Sequence, residues 1–318
     1  MIKEQIASQF GVSVSYVERL ARTASHRYVA YKIEKRSGGE REIHHPSRAL
    51  KAVQHWLLQN VLNKLPVHSL ATAYQKGSSI KINAEMHVAN NYILRIDFEN
   101  FFPSLKGSDV VSVLKANQRV SSFLSSHEDL DFIRRIVCLE DTLTIGAPTS
   151  PLLANAIMFS FDTEWALRAR TLETTYTRYA DDLYFSTNRP NILRNILVGL
   201  TQYLRENRRP QLQINVSKTA FSSRKRRRIA TGLVLTSDRR VSIGRAKKRM
   251  LKSWVNKLKY QELNSEQVAR LRGWIAYLRS TEPLFVAILQ RKYQLDFETE
   301  STWKMRPILS DQDSPSGV

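Results

Sequence analysis

The sequence predicts an α+β fold, an antiparallel sheet backed by helices and followed by a separate basic helical segment. Three observations carry this expectation. The apolar run Asn91-Tyr92-Ile93-Leu94-Arg95-Ile96 reads as a strand closed by Asp97, and residues 173 to 187 read as strand, turn and strand around Tyr179-Ala180-Asp181-Asp182. Apolar residues at helical spacing flank both segments. From Arg224 to Lys259 there are fourteen Lys or Arg against one acid, Asp238, and the run continues onto a helical pattern.

In chain order, residues 2 to 25 read as two short helices around Gly11, with Ser13 and Ser15 available as caps. The string 6 to 20 also resembles the first half of a helix-turn-helix, although apolar spacing of this kind mostly reflects packing. Tyr28 to Ile33 and Arg41 to His45 form a hairpin turning at Ser37-Gly38-Gly39. Ser47 caps a helix to about Leu65, built on Leu50, Val53, Trp56, Leu57, Val61 and Leu62, and a helix from about Ser78 carries Asn83 and His87. Helices follow at 107 to 117 and 128 to 139, and the longest is expected from Ser150 to Thr171, with Pro151 in its first turn, where the missing amide costs nothing. A helix from 190 to 207 leads to Leu212-Gln213-Ile214-Asn215 and Lys218, and strands at 229 to 235 and 240 to 243 close the first domain, residues 1–236. The second domain, 237–318, holds a basic helix (Arg245, Lys248, Arg249, Lys252, Lys257, Lys259, with Met250, Trp254 and Leu258) and a helix at 265 to 279. The last twenty residues or so are expected to fray.

At 318 residues the chain can bury a sizeable core. A net charge of +20 and a pI near 10.2 point to a polyanionic partner. An anionic membrane surface is the alternative, but no segment approaches the roughly 18 apolar residues of a spanning helix, and no signal-peptide pattern opens the chain, so a cytoplasmic protein is expected. The single cysteine, Cys138, lies in an apolar pattern and reads as a buried thiol; a disulfide within the chain is impossible. With seven scattered histidines and one cysteine no zinc spacing can be assembled.

The chemistry concentrates in carboxylates. Two adjacent aspartates mid-strand would point to opposite faces, whereas at a hairpin bend they can turn toward a metal. If strand 91–97 neighbours that hairpin, Asp97 joins Asp181 and Asp182 at a site suited to hard divalent ions, the layout of two-metal phosphoryl transfer.

Together with Asp97-Phe98-Glu99-Asn100-Phe101-Phe102-Pro103-Ser104 and Gly146-Ala147-Pro148-Thr149-Ser150-Pro151, the Tyr179–Asp182 box resembles a reverse transcriptase. More narrowly the chain is similar to the bacterial retron reverse transcriptases: Asn83-Ala84-Glu85-Met86-His87 matches their NAxxH element, and Ala230-Thr231-Gly232 stands where Val-Thr-Gly is usual. The likeness runs from about residue 26 to 280. One departure is Leu143-Thr144-Ile145-Gly146 in place of Leu-Pro-Gln-Gly, which removes an amide expected near the incoming sugar.

The resemblance implies a right-hand polymerase fold with fingers and palm in residues 1–236 and a helical thumb beyond. It implies two Mg2+ ions held by Asp97, Asp181, Asp182 and the Phe98 carbonyl. Arg41, Lys35 and Arg36 are candidates for triphosphate or template. Phe102 matches a wall against a ribose 2'-hydroxyl, Gly146 and Ala147 a close backbone approach to nucleotide, and Lys218 a proton donor to pyrophosphate. The Thr231-Gly232 turn matches a primer grip. Asn83 and His87, with Arg245, Lys248, Arg249 and Lys252 on the basic helix, are the expected RNA contacts. The partners implied are dNTPs, a structured noncoding RNA serving as template and primer, the resulting multicopy single-stranded DNA (msDNA), and a separate effector protein in antiphage defence, since 318 residues leave no room for a fused toxin. A reverse transcriptase of another lineage and a non-catalytic RNA-binding scaffold are the alternatives.

Overall fold

Ser13, whose hydroxyl accepts from the Tyr16 amide, separates α1 (Ile2–Phe10) from α2 (Val14–Arg22). Their apolar faces, Ile2, Ile6, Ala7, Val17, Leu20 and Ala21, are buried in the main core, so the 6–20 pattern serves packing. The computed structural model describes residues 2–34, 38–121, 124, 126–207 and 209–303. Lys35, Arg36 and Ser37, and the tail from residue 304, lie outside the described residues.

The hairpin of β1 (Tyr28–Glu34) and β2 (Glu40–Pro46) stands as a two-stranded sheet. Ser47 caps α3 (Arg48–Asn60) and Ser79 caps α4 (Ile80–His87). After β3 (Tyr92–Phe98) come α5 (Phe101–Ser104), α6 (Gly107–Ala116), α7 (Gln118–Ser121) and α8 (His127–Val137). The expected helix from 150 to 171 is two: α9 (Ser150–Ile157) and α10 (Phe159–Thr171) meet at buried Met158, whose ψ opens to 0°. The two halves serve different layers, α9 against α6 and α10 against the sheet, and one straight helix would not reach both.

β4 (Thr175–Tyr179) and β5 (Asp182–Thr187) form the hairpin, α11 (Ile192–Glu206) crosses behind it, and β6 (Ile214–Ser223) supplies an edge strand. The four strands run β4-β5-β3-β6, all antiparallel, so the two carboxylate-bearing segments are neighbours as expected. Side chains alternate across this sheet. Leu94, Ile96, Phe98, Tyr176, Leu183 and Phe185 enter the core with α9, α10 and α11, while Asp97, Asp182, Tyr184 and Thr177 face the other way.

β7 (Arg228–Ala230), β8 (Leu233–Leu235) and β9 (Val241–Ser242) make a small antiparallel sheet. Since β9 pairs back on β8, the change to all-helical structure falls at Gly244, a few residues beyond 237. Then come α12 (Arg245–Lys259), α13 (Ser265–Thr281), at 17 residues the longest described helix, and α14 (Pro283–Tyr293), a helix beyond those expected from the sequence. Leu251, Val255, Leu271, Ile275, Leu278 and Leu289 build a second core that reaches Ala84, Ile93 and Tyr184. No helix among the described residues is long and apolar enough to cross a membrane.

Candidate active site

The turn of the β4–β5 hairpin is closed by the Tyr179–Asp182 pair, leaving Ala180 and Asp181 as its two central residues. Ala180 adopts φ 58°, a left-handed conformation that is unfavourable for a residue with a Cβ. It is propped from below: Arg178 Nη1 donates to the Ala180 carbonyl at 3.0 Å and to Asn155 Oδ1 at 3.1 Å. The same guanidinium forks onto Asp162 of α10, Nε to Oδ1 at 2.8 Å and Nη2 to Oδ2 at 2.6 Å, and Tyr176 donates its hydroxyl to Asp162 Oδ1 at 2.7 Å. Both charged side chains are fully buried, so the pair is a fixed strut beneath the turn.

Above the strut, Asp97 and Asp182 are register partners on adjacent strands, and the Phe98 amide donates to the Asp181 carbonyl at 3.2 Å. Each of the paired carboxylates already holds a cation. Lys218 Nζ lies 3.0 Å from Asp97 Oδ2, and Arg95 Nε lies 2.9 Å from Asp182 Oδ1, whose second oxygen accepts the Tyr184 hydroxyl at 3.1 Å. Lys218 reaches Asp97 because Arg95 pairs with Ala220 but Asp97 with Asn215, a shift that bulges β6 around the lysine. Burial, then the charge of Asp182, pushes the Asp181 carboxyl up to about 6, and burial raises Asp182 as well. The positive charge of Arg41 opposes the rise at Asp181.

Among the described residues no three His, Cys, Asp or Glu side chains stand ready as a metal cage. The chemistry of the donor set nevertheless fits hard divalent cations. It is all oxygen, two carboxylates face each other across one strand pair, and both are drawn onto cationic side chains.

The profile of the family described as reverse transcriptase (RNA-dependent DNA polymerase) matches residues 33–264. Over 270 residues the chain is 35% identical to the retron Ec73 reverse transcriptase of Escherichia coli, covering 82% of this chain and 85% of that one. It is 33% identical over 285 residues to the E. coli retron Ec83 enzyme, covering 86% and 88%. The chain belongs to the retron reverse transcriptases. It is accordingly an RNA-directed DNA polymerase with the α+β polymerase fold. The retron Mx65 reverse transcriptase of Myxococcus xanthus is 31% identical over 306 residues, covering 88% of this chain and 68% of that one. Among solved structures, telomerase from Candida albicans bound to a fragment of telomeric RNA has a TM-score of 0.47 at 11% identity, covering 86% of this chain; the retron-type chain spans 58% of that telomerase.

Other expected site residues of this reverse transcriptase have defined local surroundings. Phe102, half-buried, packs edge-on against Phe101, two residues past the left-handed Asn100. Gly146 has φ 113°, and a Cβ there would overlap the His44 carbonyl oxygen. The His44 amide donates to Ile145 O at 2.9 Å, so this backbone is docked on β2; Ala147 is buried, and Arg41 on the same strand is exposed. Ile145, which stands where the resemblance has glutamine, contributes its backbone carbonyl to this contact. Cys138 is buried as expected, and burial pushes its thiol up to about 12.

Two expectations are corrected. Asn83 and His87 are fully buried and cannot touch RNA with their own side chains. Thr177 donates to Asn83 Oδ1 at 2.6 Å and Thr72 does so at 2.8 Å. His87 Nε2 lies 2.8 Å from Thr177 Oγ1 and Nδ1 lies 2.7 Å from Ser186 Oγ. Each imidazole nitrogen thus meets one hydroxyl, Thr177 on β4 and Ser186 on β5. The element therefore clamps α4 onto β4 and β5. Lys248 is the second correction. It lies three and seven residues before buried Leu251 and Val255, on the inward stripe of α12, and is ion-paired to Glu282 at the start of α14 with its ammonium 4.9 Å from the centre of the Phe285 ring. Arg245 and Arg249 are exposed and Lys252 is half-buried, so these three share the outer face.

Proposed function

We propose that this reverse transcriptase copies a dedicated structured noncoding RNA into msDNA by two-metal nucleotidyl transfer, with Mg2+ as the ion and dNTPs as substrates. The observation that supports the mechanism best is the facing of Asp97 and Asp182 across one strand pair, with Asp181 beside them on a turn supported by a buried ion pair. Asp97, Asp181, Asp182 and the Phe98 carbonyl would hold the ions. When bound, the ions would lower the pKa of the primer hydroxyl and neutralise the charge of the transferring phosphate.

The chain's own groups do the rest. Lys218, 3.0 Å from Asp97, would exchange that partner for the phosphates and hold a proton for the departing pyrophosphate. Arg41 would receive the triphosphate. Phe102 would crowd a 2'-hydroxyl, and Gly232, exposed and with open space where a Cβ would be, would let the primer backbone lie on its turn. Arg245, Arg249 and Lys252 would follow RNA phosphates along one face of α12. The setting proposed is cytoplasmic antiphage defence with a separate effector protein, after priming from a 2'-hydroxyl of a guanosine in the RNA.

The test has two parts. Asp97→Asn and Asp181→Asn are each expected to abolish DNA synthesis while RNA binding stays within about twofold, because charge is lost without bulk. Wild-type extension rates in either variant would refute the catalytic assignment. Sequencing nucleic acid that copurifies with the wild-type protein is expected to yield one structured RNA joined to its complementary DNA; a random sample of cellular RNA would refute the dedicated template.

A further inference from the structure

One buried hydroxyl connects the carboxylates to the turn on which the primer is proposed to lie. Tyr184, 1% exposed, stands two residues after Asp182 on β5, so both side chains share a face of the sheet. Its hydroxyl donates to Asp182 Oδ2 at 3.1 Å and accepts the Thr231 amide proton at 3.0 Å. Asp182 thus has one oxygen on Arg95 and the other on Tyr184.

The turn at the far end of this connection is over-determined. Ala230 pairs with Leu233, leaving Thr231 and Gly232 as a two-residue connection with φ 47° and φ 80°. Asn-Gly or Gly-Gly is the usual choice for such a turn, and a β-branched residue at positive φ carries strain of about 1–3 kcal/mol. What threonine offers in exchange is its hydroxyl, which donates to the Ile80 carbonyl at the start of α4 at 2.7 Å. Thr231 is therefore held from one side through its amide by Tyr184 and from the other through its side chain by α4.

We infer that Tyr184 is a positioning residue: its hydroxyl fixes the Thr231–Gly232 turn relative to Asp182, and so sets where a primer terminus on that turn stands with respect to the reacting centre. The inference rests on the reading of the turn as a primer grip. A residue that only filled the core would need the ring and not the oxygen, which makes Tyr184→Phe the discriminating change.

The experiment compares wild type, Tyr184→Phe, Thr231→Val and the double variant in single-nucleotide incorporation on an RNA template, alongside thermal unfolding. A second readout needs no turnover: the emission of a primer carrying 2-aminopurine at its 3' end, bound without metal or nucleotide. Tyr184→Phe is expected to lower kcat about 10- to 100-fold, as an ångström-scale displacement of a reacting group does, with the nucleotide KM within about twofold and a changed emission. Thr231→Val frees the opposite side of the same turn, so the double variant is expected to lose less than the product of the single losses. If Tyr184→Phe does not fold, Thr231→Val carries the test, and a kcat loss at an unchanged midpoint supports the inference. A folded Tyr184→Phe, or failing that Thr231→Val, with kcat within twofold of wild type and unchanged emission overturns it. Failure of the proposed two-metal chemistry is separate, since Asp97→Asn and Asp181→Asn would then keep wild-type extension whatever these variants do.

Discussion

Replacing Asp162 by Asn tests whether the strut beneath the Ala180–Asp181 turn is what holds the catalytic hairpin. The substitution keeps the shape and one acceptor oxygen but removes the counter-charge of Arg178, which is fully buried together with Asp162. Breaking a buried pair by removing one partner costs about 3–5 kcal/mol because the remaining charge is uncompensated. Tyr176, whose hydroxyl donates to the same oxygen as Arg178 Nε, is left with a weaker acceptor. For a domain somewhat above 200 residues, about 2–4 °C per kcal/mol applies, so the unfolding midpoint is expected to drop by about 10 °C. Primer extension is measured well below that midpoint, so that folded protein is compared with folded protein. The rate is expected to fall as well, because the Arg178–Ala180 hydrogen bond fixes a left-handed residue next to Asp181. A paired replacement, Asp162→Leu with Arg178→Met, separates the two effects. Apolar substitutes for both partners should recover much of the stability yet leave the Ala180 and Asn155 oxygens without their donor, so extension stays slow. An Asp162→Asn midpoint within 2 °C of wild type, or full activity in the stable double variant, would refute the strut.

Phe102→Ala is expected to raise ribonucleotide incorporation relative to deoxynucleotide under matched conditions; unchanged discrimination would make Phe102 a packing residue only. Neutralising Arg245, Arg249 and Lys252 together is expected to weaken every RNA and to lower the salt slope of binding by about 0.7–0.9 for each phosphate no longer neutralised, whereas Lys248→Ala is expected to lower the unfolding midpoint by separating α12 from Glu282, and equal slopes would contradict the assignment. Burial lowers His87 to about 3, so the folded value lies below the ordinary value of roughly 6.5. Above the ordinary value histidine is neutral in both states; as pH falls below it only the unfolded chain takes the proton, and stability is lost by about 1.4 kcal/mol per pH unit down to the folded value. The difference between wild type and His87→Gln in urea unfolding from pH 7.5 to 5 should show that slope, and parallel curves would refute it.

The strands carrying the carboxylates are legible in the sequence because they are short apolar runs bounded by Asp97, Asp181 and Asp182, while their adjacency enters there only as the condition under which the three carboxylates meet. The strut is not legible. Arg178 reads as one polar residue in a strand, and its partner Asp162 lies sixteen residues earlier on a separate element, a pairing that periodicity cannot show. The break at Met158 leaves the apolar pattern continuous, and only the two different layers reveal it. β6 is hidden because it is an edge strand bulged around Lys218, with most side chains partly or fully exposed and no alternation to read. Lys248 is misassigned from sequence because a charge run hides the stripe on which each member falls; its spacing to Leu251 and Val255 is the available signal.

One face of the sheet explains why residues so near the carboxylates take unlike roles. On that face the cross-strand rows are Asp97, Asp182 and Tyr179; then Arg95, Tyr184 and Thr177; then Ile93, Ser186 and Thr175. α4 lies over the second and third rows, where Thr177 bonds to Asn83 and His87 and Ser186 to His87, so these hydroxyls are spent on the clamp. In the first row Asp97 and Asp182 bond instead to Lys218 and Arg95, cations partly exposed to solvent that a substrate could draw away. Tyr184 lies on the border, its ring in the covered core and its hydroxyl on Asp182. Loss of DNA synthesis on replacing His87 or Asn83 therefore carries a different meaning from loss on replacing Asp97. Removing the clamp between α4 and the hairpin lets β4 and β5 shift beneath Asp181, and the defect should appear in stability and rate together while affinity for RNA is retained.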